Sequence, residues 1–341
     1  MSRGAGIYIV TRVHGLRTHL ITSHDIGLLA KAKSIRDIAD SLMKTEYATE
    51  LSQLPTAEQD AATLENIFLN RLVQRFFFVR RVAQGKLQDL LTRYCARFEV
   101  ENIKRVIRAK HGNVEEEPKL IPLPREYSLI NFPALVKAKD IEEVASLLRD
   151  TPYHTLLNTL PAYAEARNTL VLEATLDKIY FSKVWELARK RKGVRDLIGR
   201  EMDLRNLLLA MALKKYEASP RLIEDAMIPL SYNLPGPILH SMIQSRLEDA
   251  PNILPSAYSK LVVDAGSQLK GEVPVPLEWF FSRQLYGDAY ASLRSHPLQA
   301  GYIIAYLLLC ECEAKNLVSI VTGKQLNLSE DEISKRLFGI Q

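Results

Sequence analysis

The stretch Glu99-Val-Glu-Asn102-Ile103-Lys-Arg-Val-Ile-Arg-Ala-Lys110 sets out an acid, Asn three positions on, an aliphatic residue next to it, and Lys eight past the Asn. The same pattern returns at Asp203-Asn206-Leu207-Lys214 and at Glu313-Asn316-Leu317-Lys324, with successive asparagines 104 and 110 positions apart. Two further markers keep that beat. A Leu-Glu pair stands at Leu64-Glu65, Leu172-Glu173 and Leu277-Glu278, in steps of 108 and 105. A hydroxyl-x-Tyr triplet stands at Thr45-Glu46-Tyr47, Thr151-Pro152-Tyr153 and Ser256-Ala257-Tyr258, in steps of 106 and 105. Three markers in one order predict a triplicated unit of about 105 residues, and a repeat decides a fold before local detail does.

The first two copies align beyond the markers. Lys33-Ser34-Ile35 lies over Lys139-Asp140-Ile141, Ile38-Ala39 over Val144-Ala145, and Leu42 over Leu148. Ser34 and Asp140 are both good N-caps, since a side-chain oxygen there satisfies backbone N–H groups that have no helical partner. The third copy keeps the markers without this capped helix and reads as diverged.

At 341 residues the chain exceeds what one core usually serves, so two or three lobes are expected. Apolar content of 47% and charged content of 25% suit a folded soluble protein. Glycine is sparse, 15 in the chain, and the heavy Leu, Ala, Lys, Arg and Glu load favours helix. A net charge of +5 is too small at this size to announce a nucleic-acid binder. Cys95, Cys310 and Cys312 cannot make a disulfide framework and suit a reducing interior. The apolar start before Thr11-Arg12 is too short for a signal-peptide core. The run Ala300 to Cys310 falls well short of the ~20 residues a membrane span needs. A soluble or peripheral protein follows, with no direct membrane insertion.

Helical periodicity dominates. Ile35, Ile38, Ala39 and Leu42 repeat at i, i+3, i+4 and i+7, as do Ile141, Val144, Ala145 and Leu148. Thr63 to Gly85 reads as one long helix and Thr169 to Lys192 as its counterpart. No sustained alternation bounded by turns points to strands. The polar stretch Asn113 to Pro124, with Glu115-Glu116-Glu117, makes the first junction. Ser219-Pro220 is expected to end a helix, and Leu234-Pro235-Gly236-Pro237 to open the third unit. Ser329 to Glu332 reads as a capping box. The predicted units are 1–117, 118–224 and a diverged 225–341.

The repeated set Glu99, Asn102, Lys110; Asp203, Asn206, Lys214; Glu313, Asn316, Lys324 has two readings. On a helix the three members fall at roughly +60°, 0° and +80°, one face, so three such faces could line a polar socket for a partner. Alternatively each Lys complements a helix end and each Asn bonds a neighbouring helix, as caps and packing contacts recur in any repeat.

Other motifs are weaker. Thr322-Gly323-Lys324 ends like a phosphate-binding loop, but Val318 stands where its first glycine belongs. His14, His19 and His24 are spaced so that a helix turns them roughly 140° apart, away from a shared metal. Cys310 and Cys312 diverge by about 200° and read as buried thiols. Arg189-Lys190-Arg191-Lys192 with Arg195 could meet phosphates or, with Gly193 ending their helix, complement its dipole. In Arg75-Phe76-Phe77-Phe78-Val79-Arg80-Arg81 the apolar residues are expected inside and the arginines in water. No nucleophile, paired-carboxylate or metal signature emerges, so no catalytic, cofactor or metal residues are expected.

The chain resembles the C subunit of archaeal and bacterial V/A-type rotary ATPases, the counterpart of the d subunit of the vacuolar enzyme. The resemblance is carried by Tyr8-Ile-Val-Thr-Arg12, the Ile35 to Tyr47 helix, Asn102-Ile-Lys104 with Arg108-Ala-Lys110, the Leu234-Pro-Gly236 turn, and Glu311 to Leu317 through Gly323-Lys324. Pro237 stands where relatives place a second glycine. The resemblance implies an all-α funnel of three pseudo-threefold units, peripheral on the cytoplasmic face of the membrane. It implies a non-catalytic central-stalk component that receives the shaft subunits D and F, stands on the proteolipid ring and passes torque during ion transport. No cofactor and no nucleic acid are implied. The rival is a free-standing helical-repeat scaffold binding protein or RNA, although solenoids repeat every 20–50 residues rather than every hundred.

Overall fold

The computed structural model describes residues 3–55, 58–114, 116–268 and 276–339. Met1, Ser2 and Glu115 of the acidic triplet lie outside the described residues. Among the described residues all regular structure is helical and no strand occurs, so the all-α expectation holds.

In chain order the helices are α1 (Arg3–Arg17), α2 (Ser23–Lys31), α3 (Ile35–Leu42), α4 (Ala48–Leu51), α5 (Ala61–Val82), α6 (Lys86–Cys95) and α7 (Arg97–His111). There follow α8 (Phe132–Lys137), α9 (Ile141–Leu147), α10 (Leu160–Ala166), α11 (Leu170–Ala188), α12 (Lys192–Lys215) and α13 (Pro220–Ala226). The last are α14 (Gly236–Gln244), α15 (Ala250–Ile253), α16 (Ser256–Gln268), α17 (Leu277–Ser295), α18 (Gly301–Gln325) and α19 (Glu330–Ser334).

Local chemistry explains where they start. Ser34 accepts from the Asp37 N–H and Asp37 answers to the Ser34 N–H, a full capping box at α3. Asp140 accepts from the Glu143 N–H and starts α9. The third copy has instead a short 3-10 turn at Leu247–Asp249 and then α15, whose Pro251 fits only a helix's first turn. Ser329 and Glu332 form the expected box at α19.

Two expected boundaries differ. Ser219 and Pro220 do not end a helix; Ser219 accepts from the Leu222 N–H and Pro220 opens α13, the position where a missing N–H costs nothing. Gly193 does not end one either. It lies in the first turn of α12, since α11 already stops at Ala188.

The three helices that carry the repeated motif end alike. Asn113, Glu217 and Asn327, each three positions past the motif lysine, have φ of 47°, 56° and 55°. The following N–H groups, of Val114, Ala218 and Leu328, reach back to the carbonyls of Ala109, Leu213 and Gly323 at 3.1, 3.1 and 2.9 Å. This left-handed ending satisfies carbonyls that the helix cannot.

The chain divides into two compact units, Met1–Leu91 with Ser282–Gln341, and Thr92–Phe281. In the first, α18 packs on α5, α1, α2 and α3. Residues Tyr302 to Leu308 of α18 are all 0% exposed, because a helix apolar on every side must be covered on every side. In the second, α11 packs on α12, α7, α10 and α13, with Leu172, Leu176, Val184, Ile198 and Leu207 in its core. Each such aliphatic side chain stabilises the fold by roughly 1.5–3 kcal/mol on burial. No helix of the described residues is long and apolar enough to cross a membrane.

Candidate functional site

Each motif helix presents its acid, Asn and Lys along one face, as the spacing requires, and the acids, the asparagines and two of the lysines find partners inside the protein. The three asparagines are the plainest case. Asn102 donates to the Ile121 carbonyl at 2.8 Å and accepts from its N–H at 2.7 Å. Asn206 does the same to Ile228 at 3.1 and 2.9 Å, and Asn316 to Phe338 at 3.0 and 2.8 Å. All three amides are buried, and each clamps the stretch of backbone that leaves its own helix. A side-chain amide mimics the peptide group, so one residue satisfies both polar groups of the clamped residue.

The acids bind tyrosines from the next copy. Glu99 Oε2 accepts from the Tyr153 hydroxyl at 2.8 Å. Asp203 Oδ2 accepts from the Tyr258 hydroxyl at 2.5 Å and from the Asn233 N–H at 2.7 Å, while Oδ1 takes the Tyr232 N–H at 3.1 Å. Glu313 Oε1 accepts from the Tyr47 hydroxyl at 2.8 Å and Oε2 from the Ile21 N–H at 2.6 Å. These are the tyrosines of the hydroxyl-x-Tyr triplets. The order is cyclic: first acid to second tyrosine, second to third, third to first. Burial, reinforced by the adjoining carboxylates, raises the hydroxyl pKa of Tyr47, Tyr153 and Tyr258, so each hydroxyl keeps its proton to donate.

Two of the lysines follow suit. Lys110 Nζ donates to the Val136 carbonyl at 2.7 Å, in the last turn of α8. Lys214 Nζ donates to the carbonyls of Ile243 and Ser245 at 2.7 and 2.6 Å, at the end of α14. Each cation thus lies in the last turn of its own helix and against the C-terminus of a neighbour, where carbonyl dipoles point outward. Burial lowers the Lys214 pKa. Lys324 is half-buried at the end of α18.

Sequence reading missed the basic partners. Arg75, expected in water, is 6% exposed. Its Nη1 meets Glu313 at 2.6 Å and its Nη2 meets Glu46 at 2.9 Å. Burial alone would lower its pKa, but the Glu313 carboxylate, with smaller help from other nearby groups, outweighs that and holds the guanidinium charged. Phe76, Phe77 and Val79 are buried as expected, whereas Phe78 is half-exposed with Arg12 and Arg81 over its ring. In the second unit Lys104 meets Asp177 at 2.6 Å and Arg108 pairs with Glu173 through two bonds. Arg205 lies 3.6 Å from the same Asp177. Burial would raise the Asp177 pKa, but Lys104 and Arg205 hold it below the ordinary carboxylate value. The signal was present: Lys104 and Arg108, like Glu173 and Asp177, are spaced i, i+4 and share a helix face.

The remaining motifs have structural reasons. A Cβ on Gly323 would lie 2.7 Å from Ile333 Cγ1, so that glycine lets α19 approach α18. His14 stacks on Tyr302 at 4.0 Å and His19 lies 3.2 Å from Glu46. Cys310 and Cys312 are buried, and burial pushes both thiols up to about 12.

A family model described as ATP synthase (C/AC39) subunit matches residues 9–336. The chain is similar to the C subunit of the A-type ATP synthase of Archaeoglobus fulgidus, 24% identical over 340 residues that cover 98% of this chain and 97% of that protein. It is similar also to the corresponding C subunit of Pyrococcus horikoshii, at 25% over 92% of this chain and 85% of that protein. The Haloferax volcanii protein of the same name matches at 25% over 97% and 96%. With a match across nearly its whole length and an all-helical fold, the chain belongs to the ATP synthase (C/AC39) subunit family.

Proposed function

We propose that this chain is the non-catalytic coupling component of the central stalk of a V/A-type ATPase or ATP synthase. It receives the shaft subunits D and F, stands on the proteolipid ring at the cytoplasmic face of the membrane, and passes torque between them while ions cross. Its three copies, 1–117, 118–224 and 225–341, form a pseudo-threefold funnel.

The observation that carries this reading is the cyclic bonding order, in which Glu99 takes Tyr153, Asp203 takes Tyr258 and Glu313 takes Tyr47. The first tyrosine is held by the last acid, so the two ends of the chain pack in one compact unit, and close packing resists deformation under load. In this reading seven of the nine acid, Asn and Lys residues join copy to copy, while Asn316 clamps Phe338 within its own copy. The faces that meet shaft and ring belong to other residues.

The test is co-purification of the tagged chain from detergent-solubilised membranes. Shaft and proteolipid subunits are expected with it in fixed proportion, and the isolated chain is expected not to hydrolyse ATP. Recovery without either subunit would overturn the reading, and recovery with RNA would favour the helical-repeat scaffold instead.

A further inference from the structure

Three tyrosine–carboxylate bonds of one kind join the copies: Tyr153 to Glu99, Tyr258 to Asp203 and Tyr47 to Glu313. Neither group distinguishes one copy from another, and a repeated chain is open to pairing the wrong copies as it folds. The residues beside these bonds do differ. Eleven positions past the Leu of each Leu-Glu pair, the long helices α5, α11 and α17 carry Arg75, Lys183 and Asp288. Arg75 is buried against Glu313 at 2.6 Å. Lys183 lies close enough to Glu99 for that carboxylate to oppose the partial burial and the neighbouring Arg93 that lower its pKa. Asp288 reverses the sign, is half-buried and accepts from Gln284 at 2.9 Å. Asp203 takes the Tyr232 and Asn233 N–H groups besides the Tyr258 hydroxyl, and Arg200 of its own helix lies 4.2 Å over the Tyr258 ring.

A second difference lies within the unit Thr92–Phe281. Lys104, two past Asn102, and Asp177, five past Leu172, form a buried pair at 2.6 Å. The corresponding positions of the other copies hold Leu208 and Val318 on the motif helices, and Leu69 and Ser282 on the long ones. Leu69 and Val318 stand on α5 and α18, which pack together, so the same chain also uses the apolar version of this junction.

Resting on the three-copy division proposed above, we infer that these charges are an ordering device, which lets each copy join only its proper neighbour. With α17 beside Glu313 in place of α5, Asp288 would stand where Arg75 stands, and two carboxylates out of water disfavour each other strongly. With α11 on α18 in place of α7, Asp177 would face Val318 and become a buried charge with nothing to balance it. Stability alone does not call for the Lys104–Asp177 pair, because apolar side chains of similar volume commonly serve a buried junction as well as an ion pair does. What the pair adds is selectivity, since only one arrangement of the copies satisfies both of its charges.

The experiment dilutes the full chain from urea, measures the yield of native monomer by size-exclusion chromatography, and then measures the unfolding rate of the molecules recovered. One variant carries Lys104→Met with Asp177→Leu, which makes this junction read like that of Leu69 and Val318. Arg205, partly exposed, keeps Glu278 and Glu201 nearby in that variant. A second variant carries Asp288→Lys, which puts a cation on all three long helices. Each should return about threefold less native monomer than the parent, the remainder appearing as swapped oligomers. The monomers recovered should unfold at the parent rate. Asp288→Asn keeps an acceptor for Gln284 without supplying a cation, and it should refold as the parent does. So should Lys335→Gln with Asp331→Asn, which removes a pair inside one helix. A parental yield from either test variant would overturn the inference, as would an equal loss in Asp288→Asn. A loss matched by faster unfolding would overturn it too, because that marks a pair that merely stabilises. Should the double variant not fold at all, Asp288→Lys alone decides. None of these outcomes bears on whether the parent binds shaft and proteolipid subunits, so the coupling role stands or falls separately on its own co-purification.

Discussion

The Tyr47 hydroxyl donates to Glu313 over 2.8 Å across 266 positions of sequence, and Arg75 meets the same carboxylate oxygen at 2.6 Å. These side chains are all buried. The triad joins the front of the chain to its last long helix, and it does so with charge taken out of water.

Loss of Glu313 should therefore cost more than loss of Tyr47. Glu313→Ala leaves the Arg75 guanidinium buried beside only Glu46, at about 3–5 kcal/mol. Tyr47→Phe removes one donor to a charged acceptor and keeps the ring on Phe68, at about 1.5–3 kcal/mol. Urea unfolding midpoints should rank parent, Tyr47→Phe and Glu313→Ala in that order. The opposite ranking would show that the charge pair contributes little.

Asn206→Ala should act locally as well as globally. It strips partners from both the N–H and the carbonyl of Ile228, which is 2% exposed. Unpaired buried polar groups cost about 1–3 kcal/mol each. Hydrogen exchange at the Ile228 amide should accelerate beyond the change seen across α12, whereas an equal change everywhere would mean that Asn206 holds no particular segment.

Glu217→Gly should stabilise the protein. Glu217 has φ of 56° and is exposed, so its side chain adds backbone strain at a position where glycine has none. The gain should be about 0.5–1 kcal/mol, read as a higher melting temperature. Asn113 and Asn327 tolerate the same conformation better, and glycine there should gain less.

Stability should fall at both pH extremes for opposite reasons. Cys310 and Cys312 are raised from 9.0 to about 12. Their contribution is complete below the unfolded-chain value near 9.0 and is lost as pH rises towards 12. Asp177 is lowered from 3.8 by Lys104 and Arg205 against its burial. Its contribution is complete above that value and is lost as pH falls through the lowered one. Unfolding midpoints across pH should show both limbs, and Asp177→Asn should remove part of the acid limb alone. A thiol reagent at neutral pH should modify these two cysteines only as fast as the protein opens.

The amino-acid sequence by itself determined the helical class, the capped starts of α3, α9 and α19, and the periodic set of acid, Asn, Lys and Tyr. Those features rest on short-range physics, in which a cap or a helix face is complete within a few residues. The contacts that the periodic set makes within the chain were decided only by tertiary structure. Spacing puts Glu99, Asn102 and Lys110 on one face but does not say whether that face meets a partner, water or the chain's own backbone. Tyr153, Ile121 and Val136 are the groups these side chains bond within the chain, and they arrive from 19 to 54 positions away. Arg75 shows the same limit. Its neighbours Phe76 and Phe77 give it an ordinary wet-edge pattern, and only the approach of Glu313 from α18 makes burial of its charge tolerable. Ser219-Pro220 and Gly193 went astray for a more local reason, because proline and glycine mark a helix boundary without saying on which side the helix lies.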